Sequence, residues 1–238
     1  MHARLPGRRR ALAFACPLVL VLCAWNNVVV DRLPGGPGAY VVANVAATGA
    51  LLAAARAAGL SWDDLGLARQ RLRAGLGGGG ACSAGVAGGY AVALAVPGLR
   101  PLLTDARVAG LDGSAIASQV LVRIPLGTVL WEEVAFRGVL LAALTRLASV
   151  RTATAVSAAV FGIWHIRPTL GALAANDLAD GPVLRAGAVV LACLATAAAG
   201  ALFTWLRLRS GSLLAPALLH LATNSLGVLA AVVAHRYG

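Results

Sequence analysis

The chain has 238 residues, 59% of them hydrophobic and only 12% charged, with a mean hydropathy of +0.81. A soluble domain carries about 25% charged residues, so the composition excludes one and defines an integral membrane protein. The net charge of +11 comes from twenty arginines and no lysine; the arginines gather at the ends of apolar segments, as in membrane proteins, which argues against nucleic acid as a partner.

The apolar segments are uniform rather than alternating, which excludes a β-barrel and predicts an all-α, polytopic transmembrane helix bundle. A first helix is expected from Ala11 to Val30, behind the basic run Arg8-Arg9-Arg10; no small-x-small cleavage site follows it, so it reads as a retained span rather than a signal peptide. Asp31 to Gly38 is a Pro/Gly turn, and a second span covers Ala39 to Ala58. Ser61, followed by Asp63 and Asp64, has the pattern of a helix N-cap with acids in the first turn. A short interfacial helix is expected there, with Trp62 at headgroup level.

A third span runs from Ala74 to Val96 and contains Gly77-Gly78-Gly79-Gly80. Such a run either lets a neighbouring helix approach closely or interrupts its own helix. Pro97 to Gly113 is a loop. The apolar stretch from Ser114 to Ala148 is too long for one straight span, and a break or kink is expected near Pro125. A fifth span covers Thr152 to Ile166, a sixth Pro182 to Leu206 and a seventh Leu213 to Val233. Residues 1–113 thus supply N-terminal helices and 114–238 a core, within one membrane domain. Seven spans put Arg4, Arg8–Arg10, Arg56, Arg69, Arg71, Arg73, Arg146, Arg151, Arg207 and Arg209 on one side. The positive-inside rule then places the N-terminus in the cytoplasm and the chain in the cell membrane.

Polar residues inside the spans form three clusters. The chain's only glutamates, Glu132 and Glu133, are adjacent within the fourth apolar stretch. Insertion scales charge roughly 2.5–3.5 kcal/mol for each ionised side chain at the bilayer centre, so the pair needs partners or a function. Arg137 lies at i,i+4 from Glu133 and can neutralise it. Glu132 points about 100° away around the helix and is left free for chemistry, as a general base. The second cluster is Phe161-Gly-Ile-Trp-His165, where His165 can share a water with Glu132. The third is His220-Leu-Ala-Thr-Asn224, an i,i+4 pair able to donate two hydrogen bonds to one oxygen, as an oxyanion site requires. The four cysteines form no CxxC pair, so neither a disulfide framework nor a thiolate metal site is indicated.

Glu-Glu-x-x-x-Arg, Phe-x-x-x-His and His-x-x-x-Asn, in this order on successive membrane helices, resemble the CPBP or Abi family of type II CAAX-processing prenyl endopeptidases and bacteriocin-processing proteins. Trp62-Asp-Asp-Leu-Gly-Leu67 is similar to the amphipathic entry that precedes the core in that family. The resemblance covers residues 114 to 235. It implies an intramembrane endopeptidase in which Glu132, aided by His165, activates water and His220 with Asn224 forms the oxyanion site. Glu133, Arg137 and Phe161 take supporting roles. The implied partners are a peptide or membrane-protein substrate and the lipid bilayer.

The family is described both as glutamate-dependent and as metalloprotease-like. The expectation is a metal-free site with no cofactor. The alternative is a catalytic zinc held by Glu132, His165 and His220, with a fourth position for water. No HExxH marks a zincin helix. Two non-protease classes stay open: a non-enzymatic membrane scaffold or immunity protein, and a small transporter using the intramembrane acids as a proton relay.

Overall fold

Lipid offers no hydrogen-bond partner to free backbone groups, so runs of Ala, Leu and Val must close their own bonds as helices. The computed structural model, which describes residues 5–237, contains helices and no strand among the described residues. We label them α1 (Leu5–Ala24), α2 (Gly36–Ala57), α3 (Leu72–Ala95), α4 (Gly113–Thr145), α5 (Val150–Trp164), α6 (Ile166–Ala175), α7 (Pro182–Ser210) and α8 (Leu214–Tyr237). Large apolar side chains such as Leu20, Val42, Val92 and Leu191 stay exposed on the outside of the bundle, the expected face toward lipid.

Five helices are long and apolar enough to cross a membrane: α1 with the turns that follow it to Arg32, α2, α4, α7 and α8. A sixth is obtained when α3 is joined to the 3₁₀ segment Pro97–Leu103, across a bend of 118°. The fifth expected span is shorter than its apolar run. α5 has 15 residues, about 22 Å at 1.5 Å per residue, short of the roughly 30 Å of a hydrocarbon core. The chain leaves helical geometry at His165 and resumes as α6. The far end of α6 reaches the opposite end of the bundle, where Asn176 accepts from the Ala106 N–H at 2.8 Å and donates to Asp105 at 3.1 Å.

A full interruption therefore falls at His165, while the backbone at Pro125 is distorted but not broken. α4 is one continuous helix of 33 residues. It absorbs Pro125 by widening into π-helical turns over Gln119–Val129, and widens again over Glu133–Leu140. π turns carry the extra residue that a missing N–H would otherwise turn into a break.

The expected interfacial helix after Gly59 does not form. Its capping bonds do: Ser61 N–H donates to Asp64 Oδ2 at 2.7 Å, and Asp64 N–H donates to Ser61 Oγ at 3.0 Å. The bond from Ser61 N–H holds the Asp64 carboxyl below the usual carboxylate range. These close a turn, which ends at Gly66 with φ of +74°. A β-carbon there would lie 2.1 Å from Arg207 Nε, and Arg207 Nη2 caps the Asp64 carbonyl at 3.0 Å. The segment is thus spent on anchoring the ends of α4, α7 and α8 rather than on a helix of its own.

The glycine run gives close packing. α3 is unbroken through it, and α3 lies along α8 so tightly that a β-carbon on Gly79 would sit 2.8 Å from the Ala215 carbonyl oxygen. α2 packs along the first half of α4 through Tyr40 and Asn44; Asn44 Nδ2 donates to the Gly127 carbonyl at 2.6 Å. At the bundle end that holds Asp105, Arg107 pairs with its carboxylate and draws it down to a pKa of about 2. His235 Nε2, near the end of α8, lies 2.9 Å from the Asp105 carbonyl.

Candidate active site

The widened part of α4 carries Glu132, Glu133 and Arg137, all but fully buried at 4%, 1% and 1% exposure. Glu133 Oε1 accepts from Arg137 Nη1 at 3.1 Å and lies 2.8 Å from His220 Nδ1. It therefore joins α4 to α8. Arg137 has few oxygens to meet at this depth, and aromatic faces replace them. Its guanidinium carbon is 3.9 Å from the Phe161 ring centroid, 4.9 Å from Phe203 and 5.8 Å from Phe136, the geometry of a cation–π cage.

Glu132 faces a different helix. Its Oε1 accepts from Trp164 Nε1 at 2.9 Å, while Oε2 is buried without a hydrogen-bond partner. His220 Nε2 is 3.9 Å from that free oxygen. The His220 ring thus lies between the two carboxylates, bonded to one and facing the other.

His165 sits at the α5–α6 interruption, half-buried. Its Nδ1 is 2.7 Å from the Phe161 carbonyl, and its ring meets Phe161 edge-on at 4.5 Å between centroids. Phe161 in turn stands 6.4 Å from the His220 ring, so it separates the two histidines. Asn224 lies one turn beyond His220 on α8, half-buried, with no hydrogen bond among the described residues. The six polar residues singled out in the sequence thus lie on three elements, α4, the α5–α6 interruption and α8. Direct polar contacts link Glu132 and Glu133 to His220, and Glu133 to Arg137.

The sequence analysis gave no role to several residues that hold this arrangement. Trp164 orients Glu132. Phe203 of α7 closes the cage over Arg137 and lies 5.3 Å from the His220 ring. Asn26 and Asn27, in the π turn after α1, hold the carbonyls that the interruption frees. Asn26 donates to Trp164 O at 3.2 Å and Asn27 to Ile163 O at 3.0 Å, and Asn27 Oδ1 accepts from the Arg167 N–H at 2.9 Å. Their one signal in the sequence is an Asn-Asn pair inside an apolar run, where a polar amide must find a partner.

For zinc, three ligands would have to converge. Among the described residues, no group of three or more His, Cys, Asp or Glu side chains does so. His220 and His165 each engage only Nδ1, His220 with Glu133 and His165 with the Phe161 carbonyl, and Nε2 stays free. The chemistry is accordingly derived from the side chains alone.

These elements define a multi-pass helical membrane protein with a buried carboxylate–histidine site shared by three helices. Residues 115–226, a little under half of the chain, match the family model described as type II CAAX prenyl endopeptidase, Rce1-like. The match spans all three motifs and ends two residues after Asn224. No curated protein and no solved structure matches the chain.

Proposed function

We propose that this protein is a glutamate-dependent endopeptidase that hydrolyses a peptide bond within or beside the bilayer, on a peptide precursor or a membrane-protein segment. The observation that carries this reading is the state of Glu132. One oxygen is fixed by Trp164 and the other is buried, unpartnered and turned toward His220. A carboxylate held in one orientation with a free lone pair is what a general base needs.

In this mechanism Glu132 Oε2 takes a proton from water as the oxygen attacks the peptide carbonyl. His165 assists. Its Nδ1–H donates to the Phe161 carbonyl, which leaves Nε2 as an acceptor for the same water. The oxygen of the tetrahedral intermediate accepts from His220 Nε2–H and the Asn224 amide. His220 Nδ1 meanwhile stays bound to Glu133. Glu132 then returns its proton to the departing amine. Arg137 balances Glu133. No covalent intermediate is formed, and no Ser–His or Cys–His pair is required. The cell membrane, with the N-terminus in the cytoplasm, is the proposed location.

The test is cleavage of a quenched peptide library, prenylated peptides included, by wild type and Glu132→Gln, each with and without a strong chelator. Wild type is expected to cleave with chelator present. The variant should lose about 10²–10⁴-fold, the usual contribution of general acid–base catalysis. Retained cleavage in Glu132→Gln would remove the assigned base. Loss of wild-type cleavage with chelator would transfer the role to a metal. Absence of any cleavage by wild type would favour the scaffold reading.

A further inference from the structure

One end of the bundle is far more basic than the other. Arg8, Arg9, Arg10, Arg56, Arg69, Arg71, Arg73, Arg146, Arg151, Arg207 and Arg209 flank the helix ends there, against only Asp63 and Asp64. At the opposite end Arg32, Arg100, Arg107, Arg167, Arg185 and Arg236 are nearly matched by five aspartates. At the basic end a cleft of about 580 Å³ opens between α1, α2 and the last turn of α4. Its walls are largely apolar, with Phe14, Ala57, Leu60 and Ala143, and Arg10 and Arg146 also line it.

The two arginines are held differently. Arg146 is fixed, because Nη1 donates to the Ala58 carbonyl at 3.1 Å and Nη2 to the Gly59 carbonyl at 2.6 Å. Asp64 lies 3.7 Å from Arg146 and takes part of its charge. Arg10 faces it from α1 and has no acid partner among the described residues. A fixed cation and an unpaired one, beside a largely apolar groove at the basic end, match a molecule with an anionic head and an apolar tail. The volume lies within the roughly 300–1,000 Å³ of small-molecule pockets. The basic end is also the one that the positive-inside rule turns toward the anionic leaflet.

We propose that this cleft binds one anionic phospholipid. The phosphate lies between Arg10 and Arg146, and the first methylenes of one acyl chain run along Phe14 and Ala57. The site does not depend on the proteolytic reading and is separate from the Glu132–His220 cluster.

Native mass spectrometry of the full chain in mild detergent tests this, by counting retained phosphatidylglycerol and phosphatidylcholine as each is titrated. Wild type is expected to keep one phosphatidylglycerol in clear preference to phosphatidylcholine. Arg10→Gln should weaken retention about fivefold, the effect of one arginine at an anionic surface. Ala57→Phe, at an exposed position that fills the groove, should abolish it. Arg209→Gln, at the same end but outside the cleft, should leave it unchanged. An equal loss in Arg209→Gln would mean a diffuse basic belt and would overturn the site. So would equal retention of the two lipids, or Ala57→Phe retaining phosphatidylglycerol. Equally tight binding of glycerol 3-phosphate would reassign the cleft to a free anion.

Discussion

Glu132 and Glu133 are neighbours in sequence with opposite tasks, and substitution should separate them. Glu133→Gln keeps the shape but removes the charge that balances Arg137. A buried cation left without its partner costs roughly 3–5 kcal/mol, so this variant is expected to unfold well below wild type in detergent. Glu132→Gln keeps an oxygen to accept from Trp164 and leaves Arg137 paired, so its thermal unfolding should stay close to wild type while cleavage is lost. Equal thermal stability of the two variants would show that Glu133 is not the charge balance of Arg137. The sequence made the Glu133–Arg137 spacing legible because i,i+4 is a local relation that any helix realises. The bond from Glu133 to His220 joins residues 87 positions apart, and no spacing rule reaches that far. Trp164 was visible only as part of an aromatic motif. Its indole N–H becomes meaningful once α5 is laid against α4.

Elements are set by packing as much as by local pattern, and the glycines of α3 show the difference. Gly79 meets the Ala215 carbonyl of α8, whereas Gly80, its neighbour, faces open space. Gly79→Ala must push two backbones apart and should cost about 1–3 kcal/mol, as overpacking does. Gly80→Ala gains helix propensity and should be neutral or stabilising by up to about 1 kcal/mol. Thermal unfolding of the two single variants decides it, and an unharmed Gly79→Ala would mean that α3 and α8 are not in backbone contact. The sequence left close packing and interruption equally open at this run, because four glycines permit both. At Pro125 it pointed to a break or a kink, since the ring removes a helical hydrogen bond, and the helix widens there without breaking. Continuity through π turns was not legible, because it depends on α2 supporting the widened backbone through Tyr40 and Asn44. The true interruption falls at His165, whose N–H donates to the Gly162 carbonyl. Asn26 and Asn27 make it stable by holding the freed groups from a helix 140 residues away in sequence.

At the scale of the whole molecule, the hydrogen bonds at the two ends define how the chain crosses. The start of α1 shares a cleft with the end of α2 and the end of α4, and Arg207 of α7 ties to the turn at Asp63 and Asp64. The start of α6 meets the turn after α1 through Arg167 and Asp31, and the end of α8 meets Asp105 through His235. Hence the start of α1 and the end of α8 lie at opposite ends of the bundle. From the arginine asymmetry, the end that holds Asp63 is expected in the cytoplasm and the end that holds Asp112 outside. Single cysteines at these two exposed positions, in a chain whose four native cysteines are replaced, report this directly. A membrane-impermeant maleimide is expected to label Asp112→Cys in intact cells and Asp63→Cys only after permeabilisation. The reverse pattern would turn the molecule over and place the proposed lipid cleft in the outer leaflet. Labelling of both positions from one side would mean that α4 does not cross. That would remove the bilayer from around Glu132 and Glu133, and with it the reason their burial demands partners.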